Sequence, residues 1–434
     1  MEWWLTGTIL FSALIIILAS GIPVAFGLGF VSLVAMYLLW GFSGLINVAT
    51  TAYSTNIHFM LIAVPLFIFM GECVAVSGMG KDAFEMIDTW LGFLPGGIAV
   101  TTVGTCTVFG AVTGFSPATC AALGPVTIPE MLKRGYNKGF ALGAIAAGAG
   151  LAIIIPPSTL MVVYGFLAEV SIGKLFLGGL IPGLLLSAIM MLSIIIRSRL
   201  NPGLAPYRKK SDWSERLRKS IFVAPFAVLI MLVLGTIWGG IATPTEGAAL
   251  GASGGLVLLA FYRRLDWSTF KRILLSTVHV NCMVMFILIG ATLFTTVLAY
   301  TGFTVKLAAW VTSFPISKWY IFAFMMLSVF FLGCVMDPGS ILFITIPIFL
   351  PIIQKLGFDP LWFGIVMLLN LEIATITPPV GLNLYVLKGV APPEVTLNDI
   401  IKGSSPYWAL DAIGLLTIVV FPPLATWLPN MLIK

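Results

Sequence analysis

The sequence predicts an all-α integral membrane protein made of two inverted repeats, each holding a re-entrant helical hairpin and a broken helix. Three observations predict it. Hydrophobic residues make up 59% of the 434 residues and charged residues 9%, which leaves no material for a water-soluble coat. The chain also repeats itself at an offset of 222 residues: Pro125 answers Pro347, Pro129 answers Pro351, Lys133 answers Lys355, Gly135 answers Gly357, and Pro156-Pro157 answers Pro378-Pro379. Finally, each half sets a polar, proline-bearing turn inside apolar sequence, first Thr113-Gly114-Phe115-Ser116-Pro117 and then Met336-Asp337-Pro338-Gly339-Ser340. Each turn is followed by a hydrophobic segment broken by the proline pair. Paired, interrupted segments in two halves point to a binding site at the interface between repeats.

The elements follow in chain order. Residues 4–20, 23–40 and 60–77 read as full crossings, and the first is a retained span because no Lys or Arg precedes its apolar run. The stretch 96–132 is interrupted near residue 115 into arms of about 16 residues, short for a span of roughly 20, so it reads as a re-entrant hairpin. A broken crossing at 139–169 and a crossing at 175–196 complete the first repeat, residues 1–200. A basic cytoplasmic loop at 201–219 leads to the second repeat, 220–434. There the expected crossings are 221–239, 245–262 and 274–299, then a hairpin at 319–354, a broken crossing at 361–389 and a last crossing at 406–428. Residues 80–92 set Asp82, Glu85 and Asp88 opposite Phe84, Ile87 and Leu91, and residues 303–312 set Lys306 among Phe303, Leu307 and Trp310. Both read as helices lying along the membrane surface.

An odd number of crossings per half makes the second half enter the membrane from the other side. With the N-terminus outside, only Lys174, Lys306, Lys318, Lys355 and Lys434 of the 23 basic residues fall outside. The positive-inside rule therefore selects this orientation, with Lys133 inside and Lys355 outside. Most of the 12 tryptophans fall near predicted span ends, as an amphipathic ring prefers.

Composition excludes several classes. The five cysteines form no close pair, and two histidines are too few for a His-built metal centre. The net charge of +6 is a topology signal, since the basic residues cluster in a few loops, and does not point to nucleic acid. Gly41-Phe42-Ser43-Gly44 matches the short G-x-S-G pattern of intramembrane serine proteases but reads as a turn in an outer loop. Gly139, Gly143, Ala147 and Gly150 share one stripe and read as close helix packing.

A helix-interior proline removes a backbone hydrogen bond and clashes with the preceding turn. Two in succession free carbonyls in hydrocarbon, which is costly unless something binds them. Those carbonyls and the hydroxyls of Ser158, Thr159, Thr375 and Thr377 are hard oxygen ligands suited to sodium. A structural kink capped by neighbours is the other reading. Ser116, Thr119 and Ser340 sit where returning hairpin arms begin, so helix N-termini point donors at the membrane centre. Such ends can receive a carboxylate without a buried cation, and neither tip contains Lys or Arg. The carboxylates singled out in apolar segments are Glu72, Glu246, Asp337 and Glu372. Asp337 reads equally as a helix cap or a cation ligand. Glu246, in Thr243-Pro244-Thr245-Glu246, reads as a capping box. Glu72 and Glu372 read as satisfied interhelical hydrogen-bonding groups, with proton or ion relays as the alternative.

At these residues the chain closely resembles the large membrane subunit of the tripartite ATP-independent periplasmic (TRAP) transporters, the DctM-type permease. The resemblance covers nearly the whole chain and rests on Leu151–Thr159, Thr243–Ala252, Met336–Pro338 and Glu372–Tyr385. It implies an elevator-type, sodium-driven importer of organic acids such as dicarboxylates or sugar acids, in the bacterial inner membrane. It implies two partners as separate chains, a small four-helix membrane subunit and a periplasmic substrate-binding protein, besides membrane lipid. It implies no enzyme activity, and no cofactor beyond Na+ as coupling ion. The sodium and substrate sites map onto Thr113, Gly114, Ser116 and Pro117 with Pro156, Pro157, Ser158 and Thr159, and onto Asp337, Pro338, Gly339 and Ser340 with Thr375, Thr377, Pro378, Pro379, Gly381 and Asn383. The chain departs from the family at the first tip, where Phe115 and Pro117 interrupt a run of small residues. A stand-alone sodium-coupled carboxylate carrier of the same fold, an intramembrane hydrolase using Ser43 and a channel are the competing readings.

Overall fold

The computed structural model of the chain describes residues 2–206 and 212–433. Arg208, Lys209 and Lys210 of the basic loop, and Lys434, therefore lie outside the described residues. The first half folds into α1 (Trp3–Ala19), α2 (Val24–Trp40), α3 (Phe42–Asn56), α4 (Ala63–Ser77), α5 (Met79–Leu91), α6 (Gly97–Thr113), α7 (Ser116–Lys133), α8 (Lys138–Gly150), α9 (Thr159–Ala168) and α10 (Ile172–Leu200). The second folds into α11 (Trp213–Trp238), α12 (Pro244–Phe261), α13 (Trp267–Tyr300), α14 (Phe303–Ser313), α15 (Lys318–Gly333), α16 (Pro338–Lys355), α17 (Pro360–Thr375), α18 (Leu382–Val390), α19 (Leu397–Val420) and α20 (Pro423–Leu432). Among the described residues, six segments are long and apolar enough to cross a bilayer: α4 with the short turn before it, α10, α11, α13, α16 and α19. The chain is thus a multi-pass membrane protein.

The boundaries follow local chemistry. α7 and α16 each continue through two internal prolines, and each ends at a glycine in the left-handed region, Gly135 (φ 77°) and Gly357 (φ 72°). That conformation suits a residue without Cβ. Asn137 and Asp359, again 222 positions apart, open α8 and α17 by accepting from Phe140 N and Leu361 N. The bonds Pro156-Pro157 and Pro378-Pro379 are both cis.

The packing is two-fold. Each hairpin's outgoing arm packs on the first half of its own broken helix, α6 on α8 and α15 on α17. Each returning arm packs on the second half of the other broken helix, α7 on α18 and α16 on α9. Around them stands a second group of helices, with α4 against α12 and α2 against α13. α5 and α14 connect the two groups in each half. The hairpin arms hold 17, 18, 16 and 18 residues. At 1.5 Å per residue they are about 24–27 Å long, just under the ~30 Å hydrocarbon thickness.

Four features differ from the sequence expectations. α3 occupies 42–56, where a loop was expected; the equivalent stretch of the second half is the opening of α13, which runs unbroken to Tyr300. The last crossing starts at Leu397 and ends at Val420, because Pro422 and Pro423 start a separate helix, α20. Trp213 belongs to α11, and not to the basic loop; its ring lies 5.8 Å from Trp90. Asp88 is buried with the apolar face of α5, while Glu85 faces out and pairs with Lys219 at 3.5 Å.

The small-residue stripe does pack. A Cβ on Gly143 would lie 2.0 Å from Gly403 O, and one on Gly403 would lie 2.2 Å from Gly139 O, so α8 and α19 touch backbone to backbone. Gly143→Val should separate them and cost about 1–3 kcal/mol, read as a lower melting temperature of the purified protein. An unchanged melting temperature would show that the contact is not close.

Candidate substrate and ion site

The hairpin tips and the breaks in the broken helices converge. At the first tip α6 ends at Gly114, whose φ of 56° requires the left-handed region. A Cβ there would meet Pro157 O at 2.6 Å. Gly114 O accepts from Thr159 N at 3.2 Å and from Thr159 Oγ1 at 3.1 Å. The tip is thus pinned to the break between α8 and α9 by main chain. At the second tip Cys334 O accepts from Val380 N at 2.9 Å, which pins it to the break between α17 and α18.

One residue joins the halves. Asn383 is fully buried at the start of α18. Its Oδ1 accepts from Ser116 Oγ at 2.8 Å, and its Nδ2 donates to Thr375 Oγ1 at 3.2 Å and Ala146 O at 3.4 Å. The first tip, both broken helices and the second break are therefore wired together through one amide.

A cavity lies where these parts meet. Gly114, Ser116, Pro117, Thr159, Asp337, Pro338, Gly339 and Thr375 line it, with Phe115 and Leu382. α4 and α13 close it with an apolar wall that includes Val64, Ile68, Val280, Met283 and Ile287. No Lys, Arg or His lines it, and Asp337 is its one charged group. The other site residues stand behind this surface. Thr113 shares a 2.7 Å hydrogen bond with Thr119, and its hydroxyl also donates to Phe109 O. Ser340 is buried behind Asp337. Thr377 donates to Ile373 O at 2.7 Å. Pro156, Pro157 and Ser158 are fully enclosed, whereas Pro378 is half-buried and Pro379 exposed, so the two breaks differ in access. Gly381 is the residue before α18, at φ 53°.

The helix ends around the cavity are not alike. Asp337 caps α16: Ser340 N donates to Oδ2 at 2.9 Å and Ser340 Oγ to Oδ1 at 2.5 Å. Phe115 stands at the equivalent position of the first tip and gives α7 no side-chain cap. α9 and α18 likewise lack side-chain caps at Ser158 and Gly381. Three helix N-termini without side-chain caps thus bring partial positive charge to one place. Ser158 Oγ is buried with no hydrogen-bond partner among the described residues. A buried hydroxyl left alone costs free energy, so its lone pairs are free for a ligand.

The remaining carboxylates sort by geometry. Asp337 is a helix cap. Glu246 forms the capping box, accepting from Thr243 N at 2.7 Å while Glu246 N donates to Thr243 Oγ1 at 3.3 Å. Glu72 accepts from Ser276 Oγ at 2.9 Å, a bond between α4 and α13. Glu372 departs from the sequence expectation: it is fully buried, and neither carboxylate oxygen has a hydrogen-bond partner among the described residues. Asp411, on α19, was not among the carboxylates singled out; a lone Asp in the last apolar run was its available signal. Ser43 is exposed in the first turn of α3, with Gly44 packed on Met36, so the G-x-S-G stretch lines no cavity. Ser43→Ala should leave transport unchanged; loss of transport with normal expression would revive the hydrolase reading.

Comparison with known proteins identifies the family. The C4-dicarboxylate TRAP transporter large permease protein DctM of Pseudomonas aeruginosa is 35% identical over 89% of this chain and 90% of its own. The isethionate TRAP transporter permease protein DctMQ of Oleidesulfovibrio alaskensis is 35% identical over 96% of this chain, which spans 65% of that longer protein. The Escherichia coli 2,3-diketo-L-gulonate TRAP transporter large permease protein YiaN is 29% identical over 94% of each chain. Among solved structures, the Alcanivorax borkumensis YdaH transporter shares the fold with a TM-score of 0.61 at 17% identity, covering 91% of this chain and 90% of that one. Residues 11–424 match the family described as the tripartite ATP-independent periplasmic transporter, DctM component, and the chain belongs to that family of transporter large permeases.

Proposed function

We propose that this chain is the large transmembrane subunit of a sodium-coupled importer of organic acids in the bacterial inner membrane, working by an elevator movement. One observation carries the reading. Two tips and two helix breaks enclose a cavity with hydroxyl and carbonyl oxygens, three uncapped helix N-termini and no cationic side chain. Sodium suits the oxygens, and an acid group suits the N-termini. In this reading one sodium ion sits at the first tip with Pro156 to Thr159, and another at the second tip with Thr377 to Asn383. The arms of both hairpins end within the bilayer, entering from opposite faces. The two helix groups support the movement: the hairpins and broken helices form the mobile body, and the helices around α4, α12 and α13 form the frame. Each sodium ion driven by 100 mV gains about 2.3 kcal/mol, so two supply roughly 4.6 kcal/mol, of which an imported monoanion takes back about half.

Relatives bearing the names C4-dicarboxylate, isethionate and 2,3-diketo-L-gulonate transporter support small organic acids as the substrate class. The family supports delivery by a periplasmic binding protein and assembly with a small membrane subunit. In this reading the N-terminus faces the periplasm.

Ser158→Ala tests the sodium site. The Ser158 hydroxyl bonds no protein group among the described residues, so its loss should leave the sodium-free melting temperature unchanged or raise it, since a buried unpaired hydroxyl is destabilising. It should reduce the stabilisation that sodium gives over choline, which for a site at 100 times its dissociation constant is about 2.7 kcal/mol. A full sodium response in the variant, or none in the wild type, would count against sodium at the first tip.

A further inference from the structure

α17 and α19 lie side by side, and two indole hydrogen bonds fix their register. Trp362 Nε1 donates to Ile418 O at 3.0 Å, and Trp408 Nε1 donates to Ile376 O at 2.8 Å. The helices therefore run antiparallel, and Glu372 comes level with Asp411. Each is 1% exposed. None of their four carboxylate oxygens has a hydrogen-bond partner among the described residues. Tyr407, one turn before Asp411 on the same helix face, is also fully buried with an unpartnered hydroxyl, and interacts electrostatically with Asp411. The wall opposite is Gly150 of α8, where a Cβ would lie 2.9 Å from Glu372 Cγ. Gly150 and Glu372 are equivalent positions of the two halves, so the glutamate fills space that its own counterpart leaves empty.

Among the described residues, no cation hydrogen-bonds or ion-pairs with either carboxylate, although Arg197 Nη1 is itself buried and unpartnered. Arg197 of α10 acts on Tyr407, and its guanidinium lies over the Phe140 ring at 5.2 Å. Lys138, which opens α8, is held by Asp399 at the first turn of α19, at 2.8 Å. Lys388 of α18 donates to Val395 O, and Tyr164 of α9 donates to Pro360 O. Lys402 of α19 is exposed, Lys318 at the start of α15 lies over the Phe358 ring, and Lys355 at the end of α16 is exposed. Asp359 caps the start of α17. Two ionised carboxylates without a counter-charge cannot persist together in such a place.

We propose that Glu372 and Asp411 form a proton-binding site in which the pair holds one proton, the carboxyl of one residue donating to the carboxylate of the other. Two facing carboxyl groups that share a proton are a known solution to like charges at close quarters. The proton comes from, and returns to, water. The carboxyl of Glu372 stands apart from the cavity's hydroxyls: Thr375 Oγ1 donates to the main-chain O of Glu372 at 2.7 Å, and neither carboxylate oxygen joins that bond.

Infrared spectroscopy of the purified full-length protein tests this. The wild type should show, at neutral pH, the carbonyl stretch of a protonated carboxyl that shifts on transfer to D2O. The isosteric double variant Glu372→Gln/Asp411→Asn should lose that band completely, with its helix content intact. A wild-type spectrum without such a band overturns the proposal even if the variant fails to fold. So does a band that survives in the folded double variant. A carboxylate signal that responds to sodium but not to choline, and that is lost in the double variant, would assign the pair to a metal cation and also overturn it.

Discussion

Gly114→Ala should abolish sodium-driven uptake. The residue needs φ 56° and stands 2.6 Å from Pro157 O at its would-be Cβ. A left-handed conformation costs an alanine roughly 1–2 kcal/mol, and overpacking adds about 1–3 kcal/mol. Together these move the docked tip out of place by on the order of 100-fold in population, since each ~1.4 kcal/mol is tenfold. Global folding should survive, because the rest of the α6–α7 hairpin packs independently of its tip. Uptake by proteoliposomes holding both membrane subunits, with the binding protein supplied, should fall accordingly, and the sodium-induced rise in melting temperature should disappear. Uptake within twofold of wild type would mean that the tip need not dock on the Pro156-Pro157 break.

Asn383→Ala is expected to be nearly as damaging, for a different reason. It deletes the partner of Ser116 Oγ, of Thr375 Oγ1 and of Ala146 O in a fully buried place. Thr375 Oγ1 keeps its bond to Glu372 O, so Ser116 Oγ is the group left unpaired; that costs about 1–3 kcal/mol, and uptake should drop by roughly 10–100-fold. A double-mutant cycle with Ser116→Ala isolates the bond between the halves and should return a coupling of about 0.5–3 kcal/mol. Additive single effects would show that the halves communicate by another route.

The hairpins and broken helices are legible in the sequence because the chain punctuates them. Pro156-Pro157, Pro378-Pro379, Gly135, Gly357 and the Asp337-Pro338 step each force a local backbone event that apolar periodicity alone would not reveal. α3 is not legible, because Phe42–Asn56 mixes Thr, Ser and Asn with isolated apolar residues and buries only Gly44 and Thr55. The break before α20 is signalled by Pro422-Pro423, a proline pair that, like Pro392-Pro393, lacks a partner at the 222-residue offset. The Asp337 cap is readable from Asp-Pro-Gly-Ser spacing as one of two possibilities, and its two bonds to Ser340 show the cap. The apolar wall from α4 and α13 cannot be read from sequence, since Val64, Ile68 and Ile287 look like lipid-facing residues until tertiary packing buries them. The same holds for Asp411: a single carboxylate in an apolar helix acquires meaning only when Glu372 is placed beside it.

The central claim is that the two repeats enter the bilayer from opposite faces and meet at the cavity. Lys133 and Lys355 are equivalent, exposed residues at the ends of α7 and α16. Lys133→Cys and Lys355→Cys, each in a Cys282→Ser background because Cys282 is the exposed native cysteine among the described residues, can be probed with a membrane-impermeant maleimide on intact spheroplasts. Cys at 355 should label from outside, and Cys at 133 only after permeabilisation. Labelling of both from the same side would contradict the inverted arrangement and the site built on it.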